Sequence, residues 1–158
     1  MKKVTVIVLM LMFCVSSVCM ARIPQDQVAV GGIGYGSSRE YVESIYGKPT
    51  SEKRVYDKNK RLHIVAMYGK YLHIYYDLKD NTIVDLSYYG DNSLATPAGV
   101  TCGMDLSVLR NIYGTADNIY SAHGGTIYVY AGTESNGKNH GVMEFDVRNG
   151  KIHQIEIW

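Results

Sequence analysis

Residues 32–47 read Gly-Ile-Gly-Tyr-Gly-Ser-Ser-Arg-Glu-Tyr-Val-Glu-Ser-Ile-Tyr-Gly, and residues 99–114 read Gly-Val-Thr-Cys-Gly-Met-Asp-Leu-Ser-Val-Leu-Arg-Asn-Ile-Tyr-Gly. Laid on each other, they match Gly32-Ile33 with Gly99-Val100, Gly36 with Gly103, Val42 with Leu109, and Ile45-Tyr46-Gly47 with Ile112-Tyr113-Gly114. Farther on, Tyr76-Asp77-Leu78-Lys79 falls on Phe145-Asp146-Val147-Arg148, and Ile83, Leu86, Tyr88 and Tyr89 fall on Ile152, Ile155, Ile157 and Trp158. Self-similarity across two whole segments reads as duplication. The fold expected is α+β, with two tandem repeats, each a short helix packed on a three- to four-stranded antiparallel sheet. The first repeat covers 28–90 and the second 99–158, joined by a polar linker at 91–98.

Each repeat opens on a helix, about Ser38 to Tyr46 and about Asp105 to Tyr113. Ser38 and Asp105 align and are good N-caps, because a side-chain oxygen can accept an orphan amide of the first turn. Glu40 suits the positive end of the helix dipole. Tyr41, Val42, Ile45 and Tyr46 share one face, and Leu109, Ile112 and Tyr113 repeat part of that stripe. Tyr41, Tyr46 and Tyr113 are expected in the core. Gly47 and Gly114 end the helices, and Pro49 prevents restart in the first. Helices of about two turns do not stand alone in water, so they must lie on sheet.

The sheet is written in β-branched and aromatic runs: Leu62 to Tyr68, Tyr71 to Leu78 and Thr82 to Tyr89, with a further strand near Arg54 to Tyr56. In the second repeat the runs are Thr126 to Ala131, Gly141 to Val147 and Lys151 to Trp158, with a polar loop from Gly132 to His140. Asp80-Asn81 and Asn149-Gly150 occupy equivalent turns, Asn-Gly being a strong hairpin signal. With Gly69-Lys70 as a two-residue turn, Met67 faces Leu72 and Val65 faces Ile74 on the helix side. The opposite face then carries Tyr68, Tyr71, His73 and Tyr75, and His63 and His73 point to opposite faces.

The N-terminus reads as a secretory signal over residues 1–21. Lys2 and Lys3 form a basic region, Val4 to Val15 an apolar run too short to span a bilayer, and Ala21 a cleavage position. Acylation of Cys19 is disfavoured, because Ser16-Ser17-Val18 lacks the large aliphatic residue three positions upstream. Without residues 1–21 the chain keeps 14 basic and 15 acidic residues. That balance speaks against a nucleic-acid partner, which requires many uncompensated cations. It speaks equally against a polybasic membrane patch, leaving membrane association to lipidation or to a partner. Cys102 is the one cysteine outside the signal, so no intramolecular disulfide is expected, and it reads as a small, partly buried filler.

No residue pattern points to covalent chemistry. Gly32-Ile33-Gly34-Tyr35-Gly36 resembles a phosphate-binding turn, but antiparallel hairpins follow it instead of crossover helices, so no nucleotide is expected. His63, His73, His123, His140 and His153 lack zinc-ligand spacing, so no metal or other cofactor is expected. No Gly-x-Ser-x-Gly elbow is present, and Asp77 and Asp146 read as strand-ending residues before turns. A deep polar pocket lined by His123, Asp146 or His153 would be the mark of an enzyme. Tyrosine is the compositional oddity, with 14 residues against two Phe and one Trp. Tyrosine combines a stiff apolar surface with a polar tip and is enriched at interfaces. The protein-binding candidates are Tyr68, Tyr71, His73, Tyr75, Tyr128 and Tyr130.

Residues 36–49, with their cap residue, short helix and Gly-Lys-Pro ending, resemble the signature of the SmpA/OmlA (BamE-like) lipoprotein family, and residues 103–114 repeat it more loosely. Two such units in tandem resemble the β-lactamase inhibitor protein (BLIP-like) family. That resemblance implies paired helix-plus-sheet repeats gripping another protein with an aromatic surface. The function expected is a non-catalytic, exported, periplasmic or secreted protein-binding module, its partner another extracytoplasmic protein. The alternatives are an envelope assembly or maintenance factor and an uncharacterised extracytoplasmic enzyme.

Overall fold

The computed structural model describes residues 22–90, 94–133 and 139–158. The signal segment, the start of the linker and most of the loop before His140 lie outside the described residues. Among those described are two α-helices, α1 (Arg39–Tyr46) and α2 (Leu106–Tyr113). The strands are β1 (Ile23–Pro24), β2 (Ala29–Val30), β3 (Ile33–Gly34), β4 (Ser51–Tyr56), β5 (Leu62–Tyr68), β6 (Leu72–Asp77), β7 (Ile83–Tyr88), β8 (Asn118–Ala122), β9 (Gly125–Thr133), β10 (Asn139–Arg148) and β11 (Lys151–Ile157).

The α+β expectation of two small sheets, each under its own helix, is overturned. Nine strands form one sheet in the order β1-β9-β10-β11-β7-β6-β5-β4, with β8 also on β9. The sheet is mixed because β1 runs parallel to β9, and strand far outweighs helix. The joint between its halves is β7 on β11, where Leu86 faces Ile157 and Tyr88 faces Ile155. Two separate sheets would each have left an apolar edge with unpaired backbone groups; joining the edges satisfies both.

Both helices lie on one face of this sheet. Val42 and Leu109 are fully buried against it. Tyr46 stacks on Tyr68 at 5.7 Å, and Tyr113 packs on Tyr130 and Phe145 at 5.4 and 5.7 Å between ring centroids. The N-terminus of each helix is tied to the turn before the last strand of its half: Arg39 N donates to Asn81 O and Leu106 N to Gly150 O. Tyr41 departs from the expected core position and is half exposed. So short a helix buries Val42 with support from Tyr46, four residues on, and Tyr41 projects about 100° away from Val42.

The glycine-rich stretch is a hairpin rather than a phosphate loop. Ala29 and Val30 pair with Gly34 and Ile33 through Gly31-Gly32, both at positive φ. That is the geometry for which a two-glycine turn is suited. Asn149-Gly150 turns β10 into β11 in the same way, at φ 49° and 75°.

The β5–β6 hairpin differs from its expected register by one residue on β5. Tyr68 pairs with Leu72 and Ala66 with Ile74, so Gly69, Lys70 and Tyr71 make a three-residue turn. Tyr71 leaves the ladder because its carbonyl accepts from Tyr89 N and its ring packs edge-on to Tyr89, directly against Gly90. With a side-chain period of two, this slip moves every β5 side chain to the other face. Ile64, Ala66 and Tyr68 therefore join Leu72, Ile74 and Tyr76 beneath the helices, while Val65 and Met67 turn away. His63 and His73 share a face instead of pointing apart.

Candidate open-face binding surface

The two faces of the sheet contrast sharply. On the helix side the residues of β6, β7, β9, β10 and β11 that point inward are buried, Tyr76, Tyr88, Tyr130 and Phe145 fully so. On the other face, most residues keep some solvent exposure. One row runs across the strands as Val65, Tyr75 and Asp85, which are register partners. It continues to Trp158, which exchanges two backbone hydrogen bonds with Val142. A neighbouring row runs Met67, His73, Ser87, then Glu156, Glu144 and Val129. Apolar and aromatic groups thus alternate with acids over the middle of the open face.

Two cavities open on this surface. The larger, about 810 Å³, is lined by Tyr35, His63, Tyr75, Asp77, Asp85 and Trp158, with Asp57, Lys58 and Arg61 among the other lining residues. Asp85 Oδ1 is buried without a hydrogen-bond partner. Burial, reinforced by the negative Glu156 and Glu144, pushes the Asp85 carboxyl up to about 7. Asp57 is held the other way: burial acts to raise it, but backbone and side-chain hydrogen bonds from Arg61, with others from His63 and Asn59, bring it well below the carboxylate range. His63 is buried, with Nε2 3.4 Å from Asp57 Oδ2 and Nδ1 unpartnered.

The smaller cavity, about 290 Å³, is lined by Tyr120, His123, Ile127, Glu144, Asp146, Arg148, Gln154 and Glu156. Tyr120 donates its hydroxyl to the Glu144 carboxylate at 3.1 Å, and Arg148 neutralises the buried Asp146 at 2.6 Å. Burial first, and Glu144 second, raise the pKa of Glu156. No group of three or more His, Cys, Asp or Glu with metal-binding geometry occurs among the described residues.

The six side chains read from the sequence as a recognition surface are not brought together. His73 and Tyr75 lie on the open face, and His73 sits edge-on to Tyr89 with ring centroids 5.1 Å apart. Burial first, then Lys53, lowers the His73 pKa. Tyr71 occupies the β5–β6 turn. Tyr68, Tyr128 and Tyr130 are on the helix side: Tyr68 packs on α1, Arg110 of α2 lies over the Tyr128 ring, and Tyr130 is wholly enclosed with its hydroxyl donating to Gly114 O. These three serve the core, because α2 and α1 cover their positions. Cys102 is partly buried, with Sγ 3.7 Å from Tyr88 O, and burial raises its thiol pKa.

The residues missed were Asp85, Tyr120, Glu144, Glu156 and Trp158. Their signal was a strict polar alternation inside the apolar strands: Asp85 and Ser87, Glu144 and Asp146, Gln154 and Glu156. Followed through at period two, it marks one acidic face.

No protein family matches the chain, and no curated protein is significantly similar to it. Among solved structures, the chain is similar to a DUF4309 family protein (YjgB) from Bacillus subtilis, with a TM-score of 0.44 and 13% identity over 87% of this chain and 86% of that one. A likeness that distant carries no argument about function.

Proposed function

We propose that this protein is a non-catalytic, exported protein-binding module that engages another extracytoplasmic protein through the helix-free face of its sheet. The observation that carries the reading is the asymmetry of the sheet: one face is sealed by α1 and α2, while the other displays Tyr75, Tyr120 and Trp158 among partly exposed apolar groups. Rigid aromatic groups on a strand framework contribute contact area at little entropic cost, and interface cores are rich in them. Export is supported by the basic and apolar pattern of residues 1–21. No helix among the described residues is long and apolar enough to cross a membrane.

The test is capture from envelope extract by the immobilised protein, paired with fractionation of the cells. The reading expects one specific partner, lost when Tyr75 and Tyr120 are both replaced by Ala while the melting temperature stays within a few degrees. Retention of the full chain in the cytoplasm, or capture indifferent to both tyrosines, would overturn it.

The smaller cavity favours a second reading, an enzyme, because it joins His123 to the Glu144 and Glu156 carboxylates, and a carboxyl with a raised pKa suits a general acid. Asp146 is already neutralised by Arg148, and the volume lies at the lower end for a ligand pocket. Turnover of any glycoside or ester in a substrate panel, abolished in E156Q, would support the enzyme over the binding module.

A further inference from the structure

We infer that the larger cavity of the open face is a seat for an arginine side chain on a loop of the partner protein. The inference rests on the protein-binding reading and adds the chemistry of the contact.

Two lining residues carry buried acceptors without a donor. One is Asp85 Oδ1, and no hydrogen bond or ion pair from any described residue reaches this side chain. The other is His63 Nδ1. In the neutral ring, the approach of Nε2 to the acceptor-only carboxylate of Asp57 places the single ring proton on Nε2 and leaves Nδ1 as a bare lone pair. A buried polar group without a partner costs free energy that a suitable ligand would recover. Both vacancies call for donors, and guanidinium is a group that donates only.

Charge and shape agree. The charges that act on Asp85 are the negative Glu156 and Glu144. Arg61 is engaged by Asp57 at 2.7 Å. Lys58 is the remaining lysine or arginine of the lining, and it forms no ion pair with any described residue. The walls include Tyr35, Tyr75 and Trp158, and a planar guanidinium stacks on aromatic rings while presenting paired N–H groups to a carboxylate. An ammonium offers neither the plane nor the fork, so lysine should fit less well.

Trp158 is the single tryptophan of the chain, so intrinsic fluorescence reports from the cavity wall. The probes are N-acetyl-arginine amide and its uncharged counterpart N-acetyl-citrulline amide, titrated into the purified protein at pH 8. A saturable change is expected with arginine at roughly millimolar concentration, about tenfold weaker with citrulline and with D85N. Lowering the pH to 5.5 should weaken arginine binding to the unsubstituted protein, as Asp85 takes up a proton. Equal responses to the two probes, or no response to arginine, would overturn the inference without recourse to any variant. Capture of a partner undiminished in D85N but lost on replacing Tyr75 and Tyr120 would remove the arginine seat and keep the binding module. Probe binding without any captured partner would do the reverse.

Discussion

Glu144 on β10 and Glu156 on β11 stand directly opposite each other on the open face. Like charges in this position repel across the strands, and the Tyr120 hydroxyl relieves only Glu144. Gln154 Nε2 reaches Glu156 Oε2 at 3.1 Å, so the second acid has an amide as its partner rather than a cation. An arrangement that costs stability in the free protein is a common mark of a surface shaped for a partner.

The pH dependence of folding should expose that cost. Asp85 and Glu156 have folded pKa values above their unfolded ones, so the native state holds their protons more tightly. The stability they contribute is complete below about pH 4 and is lost as the pH rises through about 7, the folded value of Asp85. Asp85→Asn and Glu156→Gln should therefore each stabilise the protein at pH 8, by on the order of 1 kcal/mol or a few degrees in Tm, with the gain vanishing at pH 4. Thermal melts at the two pH values check this; a gain equal at both would contradict it.

Tyrosines on the two faces should respond differently to truncation. Tyr130 is enclosed between Tyr113 and Phe145, so Tyr130→Ala should cost about 3–5 kcal/mol, as for other large buried rings. Tyr75 on the open face should cost about 1 kcal/mol or less on the same change. Urea unfolding of the pair measures the difference, and similar losses would mean that the open face is packed against something.

The two helix caps offer a matched comparison. Ser38 Oγ accepts from Tyr41 N at 3.2 Å, whereas Asp105 makes no side-chain capping bond and instead lies 3.5 Å from the exposed Lys151 ammonium. Ser38→Ala should cost about 1 kcal/mol, and Asp105→Ala no more than about 0.5 kcal/mol. Chemical denaturation of both variants tests the ranking.

Much of the local structure was legible in the amino-acid sequence. The helix starts at Ser38 and Asp105 fall where expected, although only Ser38 caps through its side chain; the stops at Gly47 and Gly114 and the Asn149-Gly150 turn are dictated by positive-φ conformations that few other residues favour. The strands β5, β6, β7, β10 and β11 announce themselves through β-branched and aromatic runs. β8 did not, because Asn118–Ala122 is short and mostly exposed, and so has little burial to impose a pattern.

Tertiary structure decided which side chains meet. The pairing of β7 with β11 merged what local pattern suggested were two sheets, since no residue types along a strand specify its neighbour across an edge. Tyr71 peeled out of the β5–β6 ladder onto Tyr89 and Gly90, and that single residue of register sent Tyr68 into the core and left Tyr75 in the open. The gathering of Asp85, Glu144, Glu156 and Trp158 on one surface likewise arises from three strands, with Asp85 on β7 brought to the β10–β11 hairpin only by the β7–β11 pairing. Local physics sets backbone conformation within a few residues; the surface presented to a partner is set by register and by edge pairing.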